Sequence, residues 1–168
     1  MRGKIPLAGL AMLFPFFQWC EASGFGQAVK TSPWAFAITE SVHLLALAAI
    51  GGAVLVLDLR LLGLGLRRQR IPDLARDVYP WQIGSLIVLL ITGIILFMSE
   101  ALKCYYSTPF WVKMTSLALA MIFTFSVRRR VTFAEENARP AVYRLVAVVS
   151  LALWFGVAAG GRWIGFSG

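Results

Sequence analysis

Apolar residues run along this chain in four long stretches, Ala35–Leu62, Pro80–Leu102, Phe110–Val127 and Val142–Gly160, each bounded by charge. No ionisable side chain falls between Ile83 and Ser99, or between Leu145 and Gly161. A helix crosses ~30 Å of hydrocarbon with ~20 such residues. Four stretches in 168 residues leave too little chain for a separate soluble domain. The pattern predicts one all-α integral membrane domain, a four-helix bundle with spans near 35–62, 80–102, 110–127 and 142–160. Pro80, Pro109 and Pro140 stand at or just before a span's first turn, where a missing amide proton costs least. The polar segment Arg67–Asp77, with Pro72 inside it, reads as a linker with at most a short helical turn.

Residues 1–33 are less regular. Arg2 and Lys4 followed by the apolar run Ile5–Phe17 fit the charged and apolar parts of a cleaved signal peptide, with Ala22 near a weak cleavage pattern. A fifth span or re-entrant helix is a second reading. Pro6 and Pro15 interrupt the run, however, and Phe16, Phe17, Trp19 and Phe25 suit the headgroup level. A short interfacial helix is the expectation.

Composition supports the membrane assignment: 59% of residues are hydrophobic and 14% charged, against about a quarter charged in a soluble domain. The net charge of +8 does not point to nucleic acid, because the cations lie in short loops between apolar spans. Arg60, Arg67, Arg68, Arg70 and Arg76 lie at or after the end of the first span, and Arg128, Arg129, Arg130, Arg139 and Arg144 from the end of the third to the start of the fourth, ten of the sixteen cations. Those connections are expected in the cytoplasm of a bacterial inner membrane, with both termini and the middle connection periplasmic.

Two spacings suggest how the helices meet. Glu40 and Asp58 are eighteen residues apart, five full turns, so they share a stripe with His43, Leu47, Gly51 and Val54 and lie ~27 Å apart along the axis. Arg144 and Arg162 repeat that spacing in the fourth span. Antiparallel packing of the first and fourth spans would bring Asp58 to Arg144 on the cytoplasmic side and Glu40 to Arg162 on the periplasmic side. The alternative is that both arginines snorkel to lipid phosphates. Gly51, Gly52, Ala46, Ala48 and Ala49 in the first span, and Gly156, Ala158, Ala159 and Gly160 in the fourth, would let those two helices approach closely.

Several short runs stand out in order: Trp19-Cys20-Glu21-Ala22-Ser23-Gly24, Ser32-Pro33-Trp34, Glu40-Ser41-Val42-His43 and Leu57-Asp58-Leu59-Arg60-Leu61-Leu62-Gly63. Thr92-Gly93, Pro109-Phe110-Trp111-Val112-Lys113 and Ala159-Gly160-Gly161-Arg162-Trp163-Ile164 follow. This pattern resembles an uncharacterised family of small bacterial four-span membrane proteins over nearly the whole chain. Its most specific elements are the Glu-x-x-His entering the first span, the Asp-Leu-Arg leaving it and the Gly-Arg ending the fourth. Some relatives carry a histidine where the third span exits; here Ser126-Val127-Arg128-Arg129-Arg130 has none. The resemblance implies a fold and no established activity.

The chemistry on offer is sparse. His43 is the only histidine. Glu40, Met98, Glu100, Lys113, Met114 and Arg162 could share its depth, so Glu40, His43, Glu100 and Arg162 are expected as a polar cluster on the periplasmic side. A hydrogen-bonded histidine joining helices is the plain reading. The alternative is a redox-active protein that holds haem b or touches quinone through His43, with Met98, Met114 or a partner subunit's His43 as second ligand to the haem. Cys20 and Cys104 lack metal-ligand spacing, but both are expected on the oxidising side, where a disulfide between them is permitted. Nucleophile-elbow, His-Glu-x-x-His and phosphate-loop patterns are absent from the sequence. No ionisable group falls near a span's centre, where transport paths usually show one. The expected protein is a non-enzymatic structural or accessory subunit, without metal or cofactor, whose partners are the bilayer and either membrane-complex subunits or a second copy.

Overall fold

The structure, a computed structural model, describes residues 12–66, 68–133 and 139–166. Arg2, Lys4 and the start of the apolar run, on which the signal-peptide reading rests, lie outside the described residues, as does Arg67.

Two short helices come first, α1 (Phe14–Ala22) and α2 (Gly24–Thr31). Ser23 makes the corner between them. Its hydroxyl accepts from the Gly26 amide at 3.1 Å and donates to the Cys20 carbonyl at 2.6 Å. The first long helix, α3 (Pro33–Leu62), starts on a Ser32 cap with proline in its first turn. It stops at Gly63, whose positive φ of 77° turns the chain in a conformation that favours glycine. α4 (Ile71–Ser99) follows, then the short α5 (Ala101–Tyr106). α6 (Thr108–Phe123), capped by Ser107, continues through a π-helical turn at Thr124–Arg128 into α7 (Arg129–Phe133). The last helix is α8 (Pro140–Phe166).

Four of these stretches are long and apolar enough to cross a membrane: Pro33–Leu62, Ile71–Ser99, Thr108–Phe133 and Pro140–Ile164. The expected bundle with a short helix before it is therefore present, but three boundaries move. α4 begins at Ile71, so Pro72 takes the first turn and Pro80 lies inside the helix. Most of the expected linker is thus the first two turns of α4, with Leu74, Ala75 and Val78 packed on Leu57. The third helix carries its arginines inside it rather than after it, and α8 continues through Gly160 and Gly161.

Within the bundle α3 packs on α4 and α8, and α6 packs on α8, whereas the backbones of α4 and α6 stay apart. The core lies between these helices, with Ile50, Val54, Leu89, Ala120, Trp154 and Val157 among its buried members. The expected glycine contact between the first and fourth spans takes a different form. A Cβ on Gly160 would stand 3.1 Å from the Lys113 backbone, and one on Gly156 2.9 Å from the Ser116 hydroxyl, so α8 lays its glycines on α6. Gly51 and Gly52 have nothing within 4 Å of where a Cβ would be.

Candidate functional site

Buried polar groups collect at two levels. At the end of the bundle where α3 finishes, the Arg128 Nε donates to Asp58 Oδ1 at 2.9 Å, and its Nη2 donates to the Val54 carbonyl at 3.2 Å. Asp58 is 0% exposed and Arg128 2%. The expected partner, Arg144, is exposed instead. The reason is helical phase. Ala120, Thr124, Arg128 and Thr132 are all buried at four-residue steps, and each such step overshoots a regular 3.6-residue turn by about 40°. The wider turn at Thr124–Arg128 absorbs that drift and keeps all four on the inner face. Thr124 is used as well: its hydroxyl accepts from the Trp154 indole at 3.2 Å, tying this turn to α8. The Ser150 hydroxyl of α8 is buried beside the Asp58 carboxylate.

The other level lies toward α1 and α2. His43 on α3 is 8% exposed, and its Nδ1 is 2.9 Å from Thr92 Oγ1 on α4. The Thr92 hydroxyl donates its own proton to the Val88 carbonyl at 2.7 Å, so its oxygen must accept from the imidazole. That network assigns the proton to Nδ1 and leaves the Nε2 lone pair facing the Lys113 ammonium at 3.4 Å. One hydrogen-bonded line thus runs from α6 through α3 to α4. Glycines make room for it. A Cβ on Gly93 would stand 3.3 Å from the imidazole, and one on Gly160 3.1 Å from the Lys113 Cβ.

The expected cluster of Glu40, His43, Glu100 and Arg162 does not assemble. Glu40 and Arg162 are exposed, and no ion pair joins them among the described residues. Glu100 pairs locally with Lys103 at 3.6 Å. A helical stripe cannot show that threonine and lysine on neighbouring helices take the histidine instead. In hindsight Thr92-Gly93, Lys113 and Gly160-Gly161 all lie in the runs that carry the family resemblance, and the fold brings them around His43.

Beside this line is a cavity of about 350 Å³. Leu89, Gly93 and Phe97 of α4 form one wall, and Phe110, Trp111 and Leu117 of α6 the other. Phe17 of α1 closes the top, and His43 and Lys113 are its polar groups. The aromatic end is firmly built, with Phe97 stacked on Phe110 at 5.8 Å and Phe17 edge-on to Phe97 at 5.1 Å. The Trp111 indole donates to the Tyr105 carbonyl at 3.1 Å, holding that ring in place.

A carboxylate anchors the short helices above the cavity. Glu21 pairs with Lys30 and accepts the Leu102 amide at 2.7 Å. The bond from Lys30, with help from that amide, holds its carboxyl below the usual range despite partial burial. Cys20 is buried with Phe17, Ala101 and Tyr105, and Cys104 packs against the same cluster. Both are free thiols rather than the permitted disulfide. Burial raises the Cys20 thiol, and burial together with the nearby Glu100 charge pushes the Cys104 thiol up to about 11.

Four apolar spans cross-tied by buried polar groups define a multi-pass membrane protein. Residues 16–167 match the family of unknown function DUF6644, and the chain belongs to it. No curated protein and no solved structure matches the chain.

Proposed function

We propose that this chain is a non-enzymatic structural or accessory subunit of the bacterial inner membrane, multi-pass, with both termini periplasmic. The observation that supports it best is how the interior polar groups are spent. Asp58 holds Arg128, His43 lies between Thr92 and Lys113, and Thr124 holds Trp154, each joining one helix to another. Such bonds set the packing of helices, which lipid gives no hydrophobic reason to associate.

The redox alternative draws on the cavity in front of His43. Haem fits these residues poorly, because iron would take the Nε2 lone pair that already faces the Lys113 ammonium. A quinone needs only a donor to its carbonyl, and Lys113 could supply one. The test is the absorption spectrum and intact mass of the protein extracted in mild detergent. The accessory reading expects no Soret band, and His43→Gln to keep most of the stability. A haem signal near unit stoichiometry, abolished by His43→Gln, would overturn it.

A further inference from the structure

The seam between α4 and α6 differs from the other helix contacts in being open. Their backbones stay apart, and between the Phe97–Phe110 stack at one end and the core the cavity fills the gap. Ile94 and Met114 on its rim are 59% and 42% exposed. In a bilayer that exposure is to lipid, so the cavity opens sideways into the acyl chains rather than to water.

Lys113 gives this apolar space its chemistry. It lies five residues into the third span, about 7 Å below the helix start, at a depth where a lysine can still reach the headgroup boundary. Among the described residues its one hydrogen-bonding partner is the neutral His43 Nε2, and no carboxylate of theirs stands within ion-pair distance of it. Because Thr92 fixes the imidazole proton on Nδ1, the histidine accepts one ammonium proton and adds no second charge. Two N–H donors of a cation remain for a ligand, at the polar end of a pocket otherwise lined by aliphatic and aromatic groups.

We propose that this cavity binds the carboxylate of a single-chain amphiphile of the long-chain fatty acid type, with Lys113 as its counter-ion and the acyl chain leaving through the α4–α6 seam. The ligand's charge follows from the uncompensated ammonium, and its apolar chain from the walls and the lipid-side mouth. One chain rather than two follows from a volume near the small end of ligand pockets. The proposal goes beyond the accessory role and holds for either orientation of the chain in the membrane.

The test uses the full chain in phosphatidylcholine nanodiscs, irradiated with a stearic acid that carries a diazirine on its chain. Labelling is expected on the α4 and α6 peptides that hold Phe97, Phe110 and Met114. Stearate should compete at about tenfold lower concentration than stearyl alcohol, the margin of one charge-assisted bond. Lys113→Met should cut labelling about tenfold, and Lys113→Arg should retain it. Ile94→Trp, a change at a lipid-exposed position that fills the mouth, should also block labelling while leaving the thermal midpoint in place. That variant keeps the test decisive if Lys113→Met does not fold. Equal competition by the alcohol, stronger competition by a short-chain benzoquinone or by phosphatidylglycerol, or unchanged labelling in a folded Lys113→Met or in Ile94→Trp overturns the proposal. A haem spectrum abolished by His43→Gln would sink the accessory reading and this proposal together, since that haem would fill the same cavity, whereas failed labelling without a haem spectrum overturns this proposal alone.

Discussion

At the level of single residues, the Asp58–Arg128 pair has the clearest energetic signature, because both charges are withdrawn from water and lipid alike. Two buried ions gain little over a well-packed apolar pair, but removing one strands the other at ~3–5 kcal/mol. Asp58→Asn is therefore expected to destabilise by ~3 kcal/mol, read as an unfolding midpoint in detergent. Adding Arg128→Gln should cost less than the two single changes summed. Arg144→Gln, on the exposed face, should leave the midpoint unmoved. A loss at Arg144 equal to that at Asp58 would mean that the Asp58–Arg128 pair is not the one that holds the bundle.

At the level of elements, α6 and α8 are joined by close approach of their backbones. Gly160 carries no room for a methyl group, since the Lys113 backbone is 3.1 Å from where a Cβ would be. Backbone cannot swing aside as a side-chain tip can, so the two helices would have to separate. Gly160→Ala should cost ~1–3 kcal/mol, the usual range for overpacking, and would also displace Lys113. Gly52→Ala faces open space and should be neutral, or gain up to ~1 kcal/mol from helix propensity. Thermal unfolding of the two variants side by side checks this, and the reverse order would place the tight contact on α3 instead.

At the level of the whole molecule, orientation rests on arginine placement. The connection after α3 and the region around α7 carry most of the cations, and positive charge favours the cytoplasm. Arg128 is neutralised by Asp58 in the fold, but translocation reads the chain before that pair forms. Reporter fusions after Arg70 and after Ala134 are expected to be active only in their cytoplasmic form. Activity of a periplasmic reporter at either point reverses the topology and leaves the helix packing unaffected.

The sequence by itself determined the number of spans and the all-α class, because hydrocarbon demands long apolar helices whatever they pack against; of the two short helices ahead of them it indicated one. It also singled out His43 and Asp58, since polar groups in a span must face protein. Their partners were decided by tertiary structure. A stripe on α3 fixes which residues look inward, but not which helix stands opposite or at what height. Arg128 looked like a loop charge because apolar runs end at the first arginine, whereas a π-helical turn carries it inside the bundle, where Asp58 can neutralise it. Lys113 could be placed near the depth of His43 from the sequence, but only the gap between α4 and α6 makes it the charged end of a cavity. Such a gap is a property of how four helices fail to close, and no single helix encodes it.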